Sequence, residues 1–171
     1  MLYKLRMQLL SLDDKVTKEF MNSFFNSLND ITSELFILFK ELKNNYSNSN
    51  IQKTRSYFET TIDLVRMCEL FSTWCPELFL DIDHVHSNRL LNFLMFTLNS
   101  VFVGEMGKSI KEFSGKVYSY SFNLELFLAP VIGIFCNLYN GVKQLEESLS
   151  QKTKKYENLR SLFEKTDAFN E

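Results

Sequence analysis

The sequence predicts an all-α protein, an antiparallel helical bundle or helical-repeat-like stack of about five helices, and three observations carry that expectation. Only five Gly and two Pro occur in 171 residues, and these are the residues that punctuate short strands and tight turns. Apolar residues recur at alternating steps of four and three over long stretches, which marks one face of a helix. Short polar runs separate these stretches, and short connections set successive helices side by side in antiparallel order. A chain of this length buries roughly two-thirds or more of the surface its unfolded form exposes. One helical domain over residues 1–171 is therefore expected, with a core at about 14–140 and a charged C-terminal helix at about 142–165.

After a short apolar lead of Leu2, Leu5, Leu9 and Leu10, the acidic pair Asp13 and Asp14 suits the positive N-terminal end of a helix. Phe20, Phe24, Leu28, Ile31, Leu35, Leu38 and Leu42 line its face, which Phe25, Phe36 and Phe39 broaden. It should end near Lys43. NNYSNSN, Asn44 to Asn50, has turn formers without apolar spacing and reads as an exposed loop. A second helix is expected over about Ile51 to Trp74, with Tyr57, Thr61, Leu64, Cys68, Phe71 and Cys75 on one face, widened by Ile62, Val65 and Trp74. Pro76 disfavours helical geometry at the residue before it, so this helix stops close to Thr73 or Trp74.

Ser87 or Asn88 is placed to cap a third helix, RLLNFLMFTLNSVFV, which is apolar on nearly every side and ends before GEMG at Gly104 to Gly107. Such a helix belongs in the centre of a bundle or in a membrane. Lys108 to Ser121 mixes Ser, Gly and Tyr, and VYSYSF alternates like a strand that has no partner. A loop is expected there, with at most one helical turn in KSIKEF. LELFLAPVIGIFCNLY is again apolar, with Pro130 either at a first helical turn or at a kink. Beyond Gly141, Val142, Leu145, Leu149, Tyr156, Leu159 and Phe163 mark a narrow stripe on a charged helix, interrupted by Lys152. That stripe suits a partner-binding seam or packing on its own domain. The core is expected to include Leu28, Leu35, Leu64, Cys68, Phe71, Leu94 and Leu98.

Nineteen basic and twenty-one acidic residues nearly cancel. No global field is available to hold a nucleic acid or an anionic membrane surface. Three cysteines, with Lys4 and Arg6 interrupting the N-terminal apolar run, lead us to expect a reduced, cytoplasmic setting without a cleavable leader.

The stretch CELFSTWCPELFLDIDHVH holds Cys68, Cys75, His84 and His86. Cys68 and Cys75 lie seven residues apart, about 10 Å on a continuous helix, whereas two thiolates on one zinc sit within about 4 Å of each other. The spacing suits zinc poorly, and we expect a core Cys68, a surface His pair and no metal site. A Cys nucleophile, with Cys75 the more exposed candidate, lacks any evident orienting acid. DIDHVH lacks the later Gly and final Glu of a calcium loop. GEMGKS, with Gly104, Gly107 and Lys108, has two residues between its glycines where a phosphate loop has four. No catalytic residue and no cofactor is expected. Leu90 to Gly104 and Leu126 to Val142 are charge-free runs near or just short of a membrane span, interrupted by Asn, Pro or Gly. Burial in a core is the favoured account, membrane association the alternative, and a small metal or thiol enzyme the third.

Four phrases in order resemble one family. FFNSLNDITSELFILFKEL, CPELFLD, RLLNFLMFTLNSVF and LAPVIGIF are similar to the helical region upstream of the RING in the SPRY- and RING-containing E3 ubiquitin-protein ligase of the cyclin-kinase-inhibitor ubiquitination-promoting complex family. The resemblance covers roughly Phe20 to Tyr139, and Pro76, Glu77, Phe79, Leu80 and Asp81 match that family's turn. It implies a helical scaffold or interaction region whose partner is a protein, a substrate or adaptor of a ubiquitin ligase. Too few Cys and His are present to build a RING, so the family's catalytic residues do not carry over.

Overall fold

The computed structural model describes residues 7, 11, 13–45, 47–79, 85–116 and 122–148. Most of VYSYSF, the expected helix beyond residue 148, and Leu80, Asp81 and His84 lie outside them.

Helix α1 spans Asp14–Asn44, and Asp13 Oδ1 accepts from the Lys15 amide at 2.7 Å to close its first turn. Helix α2 spans Asn48–Trp74 and starts earlier than the polar composition indicates. Ser47 supplies the cap, its Oγ accepting from the Asn50 amide at 3.2 Å, so part of the expected loop becomes helix. At the far end the Cys75 amide donates to the Phe71 carbonyl at 2.8 Å, and Pro76–Leu78 form one 3-10 turn. The proline stop falls where expected.

Helix α3 spans Val85–Phe102 and begins ahead of the anticipated caps. Ser87 lies within it, its hydroxyl donating to the Phe79 carbonyl and tying the helix to the preceding turn. Helix α4, Glu105–Lys116, occupies most of the segment expected to be a loop. Met106 and Ile110, one turn apart and 4% and 1% exposed, give it an apolar contact face that two residues in a Ser- and Lys-rich stretch did not announce. It is bent by 46° from α3 across the Val103–Gly104 break.

Helix α5 spans Leu124–Ser148, capped by Asn123 Oδ1, which accepts from the Glu125 and Leu126 amides at 2.9 and 3.3 Å. Pro130 lies beyond its first turn, inside the helix. The helix also continues through Gly141, so residues 142–148 belong to α5.

Helices α1 and α2 form an antiparallel hairpin: Phe20 and Phe24 each meet Phe71 at 6.0 Å, while Phe39 meets Phe58 at 6.1 Å. Helix α5 returns parallel to α2, with Phe127 stacked on Phe58 at 5.8 Å near one end. Near the other, Asn137 Nδ2 donates to Thr73 Oγ1 at 2.7 Å and Ser72 Oγ at 3.1 Å. Helix α3 runs alongside α1 in the same sense, with Phe25 stacked on His86 at 6.0 Å and Phe36 against Phe96 at 5.1 Å.

Two apolar clusters occupy opposite ends of this bundle. One surrounds the Pro76 turn and contains Phe25, Leu28, Cys68, Phe79, Leu94 and Ile134. The other contains Leu35, Phe39, Phe58, Ile110, Phe122 and Phe127. Leu28, Leu35, Cys68 and Leu94 are fully enclosed, whereas Leu64, Phe71 and Leu98 pack against the first cluster while partly exposed.

Arg89 clamps α3 to α1, with Nη1 donating to Asn22 and Nη2 to Asn26, both at 2.7 Å, and the guanidinium 5.1 Å from the Phe25 ring centre. A lysine cannot make the planar fork. Arg89→Lys should therefore lower stability by about 1 kcal/mol in urea titrations, with no change in helical content by circular dichroism.

Candidate functional site

The turn that carries the family phrase is built into the core. Phe79 is fully buried and meets Phe25 at 6.2 Å, Leu78 is buried, and Pro76 and Glu77 are half-buried. The Leu78 and Phe79 amides donate to the Cys75 and Pro76 carbonyls, both at 3.0 Å. With the Ser87 bond to Phe79, these contacts make it a rigid corner joining α2, α3 and α5.

Two readings of the chemistry-bearing residues need correction. Cys75, expected to be the more exposed thiol, is 1% exposed, because the Pro76 turn folds inward and carries it into the first cluster. His86, expected at the surface, is 5% exposed and stacks on Phe25. Cys68 is enclosed, and burial pushes its thiol well above the usual range, so the nucleophilic thiolate is suppressed. The exposed cysteine is Cys136, on α5. In the native protein, Cys68 and Cys75 should resist maleimide and react only after denaturation, a pattern that mass spectrometry of labelled peptides reads directly.

Among the described residues, no three His, Cys, Asp or Glu side chains are grouped to hold a metal. Gly104 and Gly107 sit at the α3–α4 corner, and a Cβ on Gly107 would land on the Val101 carbonyl oxygen. The glycines therefore allow two backbones to approach, which accounts for them without a phosphate. An open groove of about 460 Å³ lies by Ile110, Lys111, Phe122, Asn123, Leu124 and Glu125, with no nucleophile and base converging in it.

The outer side of α5 is a different matter. Leu126, Ile132 and Tyr139 are 46%, 55% and 58% exposed, and Ala129 and Cys136 are also exposed. Among the described residues, these form an exposed apolar stripe along the helix. The stretch Leu124–Lys143 is long and apolar enough to cross a membrane by length and composition, yet its inner side is packed on α2.

Long packed helices, a buried corner and an exposed apolar helix face define a helical-repeat-like interaction domain. The chain belongs to the RNF123-like TPR repeat family, which matches residues 18–167. It is 26% identical over 160 residues to the E3 ubiquitin-protein ligase RKP of Arabidopsis thaliana, covering 91% of this chain and 12% of the ligase. It thus spans a small part of that relative's length. No solved structure matches it. A tetratricopeptide repeat places two helices in about 34 residues, whereas α1 and α2 have 31 and 27 residues each. The family is shared, but that short period is not evident in this hairpin.

Proposed function

We propose that this chain is a non-catalytic protein-interaction region of the kind found upstream of the RING in a ubiquitin ligase, holding a substrate or adaptor near the catalytic module in the cytoplasm. The observation that carries the proposal is the family match over residues 18–167. The named ligase activity of the Arabidopsis relative supports the link to ubiquitin transfer. The exposed apolar residues of a well-packed helical scaffold support a binding role over a catalytic one.

The test is quantitative proximity labelling in cells with this chain as the bait and a helical protein of similar size and charge as the control. Enrichment of ubiquitin-conjugation proteins, together with proteins whose ubiquitination falls when the chain is removed, is the expected result. Labelling confined to membrane proteins, or equal to the control, overturns the reading.

A further inference from the structure

We propose that α5 pairs with α5 of a second copy of this chain, antiparallel, about a two-fold axis passing near Ile134. The exposed positions Glu125, Ala129, Ile132, Cys136, Tyr139 and Lys143 are spaced four, three, four, three and four residues apart. That is the alternation of a coiled-coil seam, and it reads the same in both directions. Turning one helix over about residue 134 sets Glu125 beside the partner copy's Lys143, Ala129 beside its Tyr139, and Ile132 beside its Cys136.

Charge and size select this arrangement. Opposite charges meet at both ends of the seam, and a small side chain faces a large one. A parallel pair would place Glu125 on Glu125, Lys143 on Lys143 and Tyr139 on Tyr139. The seam spans roughly 27 Å at 1.5 Å per residue, and Leu126, 46% exposed, widens its apolar strip. A self-complementary patch of this kind closes on itself as a dimer and does not propagate into fibres. The inference concerns self-association alone and stands apart from the proposed ligase role.

Sedimentation of the full chain at micromolar concentration should show a dimer, and Ile132→Asp should weaken association about tenfold or more with unchanged helicity. Lys143→Glu should weaken it as well, and adding Glu125→Lys to that variant should restore it. In a Cys136→Ser background, Ala129→Cys mixed with Tyr139→Cys should form an intermolecular disulfide on mild oxidation. Ala129→Cys alone should not, because antiparallel pairing separates the two copies of residue 129 by roughly 15 Å along the axis. A monomer under these conditions, efficient cross-linking of Ala129→Cys to itself, or a failed charge swap overturns the proposal. So does binding of the chain to phosphatidylcholine vesicles that Ile132→Asp abolishes, which would assign the face to lipid.

Discussion

Phe58→Ala should lower the unfolding free energy by about 3–5 kcal/mol. That is a large share of the roughly 5–15 kcal/mol by which a domain is stable. Phe58 is 3% exposed and is the ring at which three elements meet. It packs edge-on to Phe39 of α1 at 6.1 Å and to Phe122 at 5.4 Å, and stacks on Phe127 of α5 at 5.8 Å. Each aromatic pair adds about 0.5–1.5 kcal/mol beyond the buried area, so truncation removes transfer energy, ring contacts and the filling of the second cluster together. A urea midpoint that moves by less than 1 kcal/mol equivalent would mean that this cluster is not packed as described. Phe58→Leu keeps most of the volume and should lose markedly less.

The second large effect is expected at Gly107. A methyl group there meets the Val101 carbonyl, a backbone atom that cannot swing aside, so α4 must move away from the end of α3. Gly107→Ala should destabilise by about 1–3 kcal/mol or more, in spite of the better helix propensity of Ala. Gly133 on α5 supplies the control. The atoms nearest a Cβ there belong to the flexible Glu69 side chain, which can rotate away. Gly133→Ala should therefore be near neutral, because the helical gain of up to about 1 kcal/mol offsets the displaced side chain. Thermal or urea unfolding of the two variants side by side tests both statements, and equal losses would contradict them.

The hairpin was legible because long amphipathic helices advertise both their period and their ends. Asp13 caps α1 and Pro76 terminates the second helix next to Cys75, whereas the Ser47 cap of α2 lies inside a polar run that reads as loop. Helix α4 was not legible, since two buried apolar residues in a Ser- and Lys-rich stretch fall below any periodicity signal. The glycine beside them resembles a helix stop until the nearby Val101 backbone shows why it is small. Asn123, two residues before the Glu125 amide it caps, was a start signal for α5 that the apolar run after it obscured.

The site residues failed for a different reason. Periodicity assigns a face to a helix, but the neighbourhood of Cys75 and His86 depends on how the Pro76 turn redirects the chain, a tertiary fact. The enclosure of Cys68 accords with its place among apolar residues. The stripe on α5 was hidden in a run apolar on every side, where only the packed structure separates the inner face from the outer.

The parallel return of α5 beside α2 sets a timetable for the newborn chain. Helix α1 lies immediately before α2 and can fold against it as soon as both have left the ribosome. The flank of α2 that carries Phe58 and Thr73 must wait for Phe127 and Asn137, made some fifty or more residues after Trp74. At about 5–20 residues per second, that flank stays uncovered for roughly 3–15 seconds in every molecule synthesised. During that interval the half-made protein offers an apolar surface to chaperones and to neighbouring nascent chains.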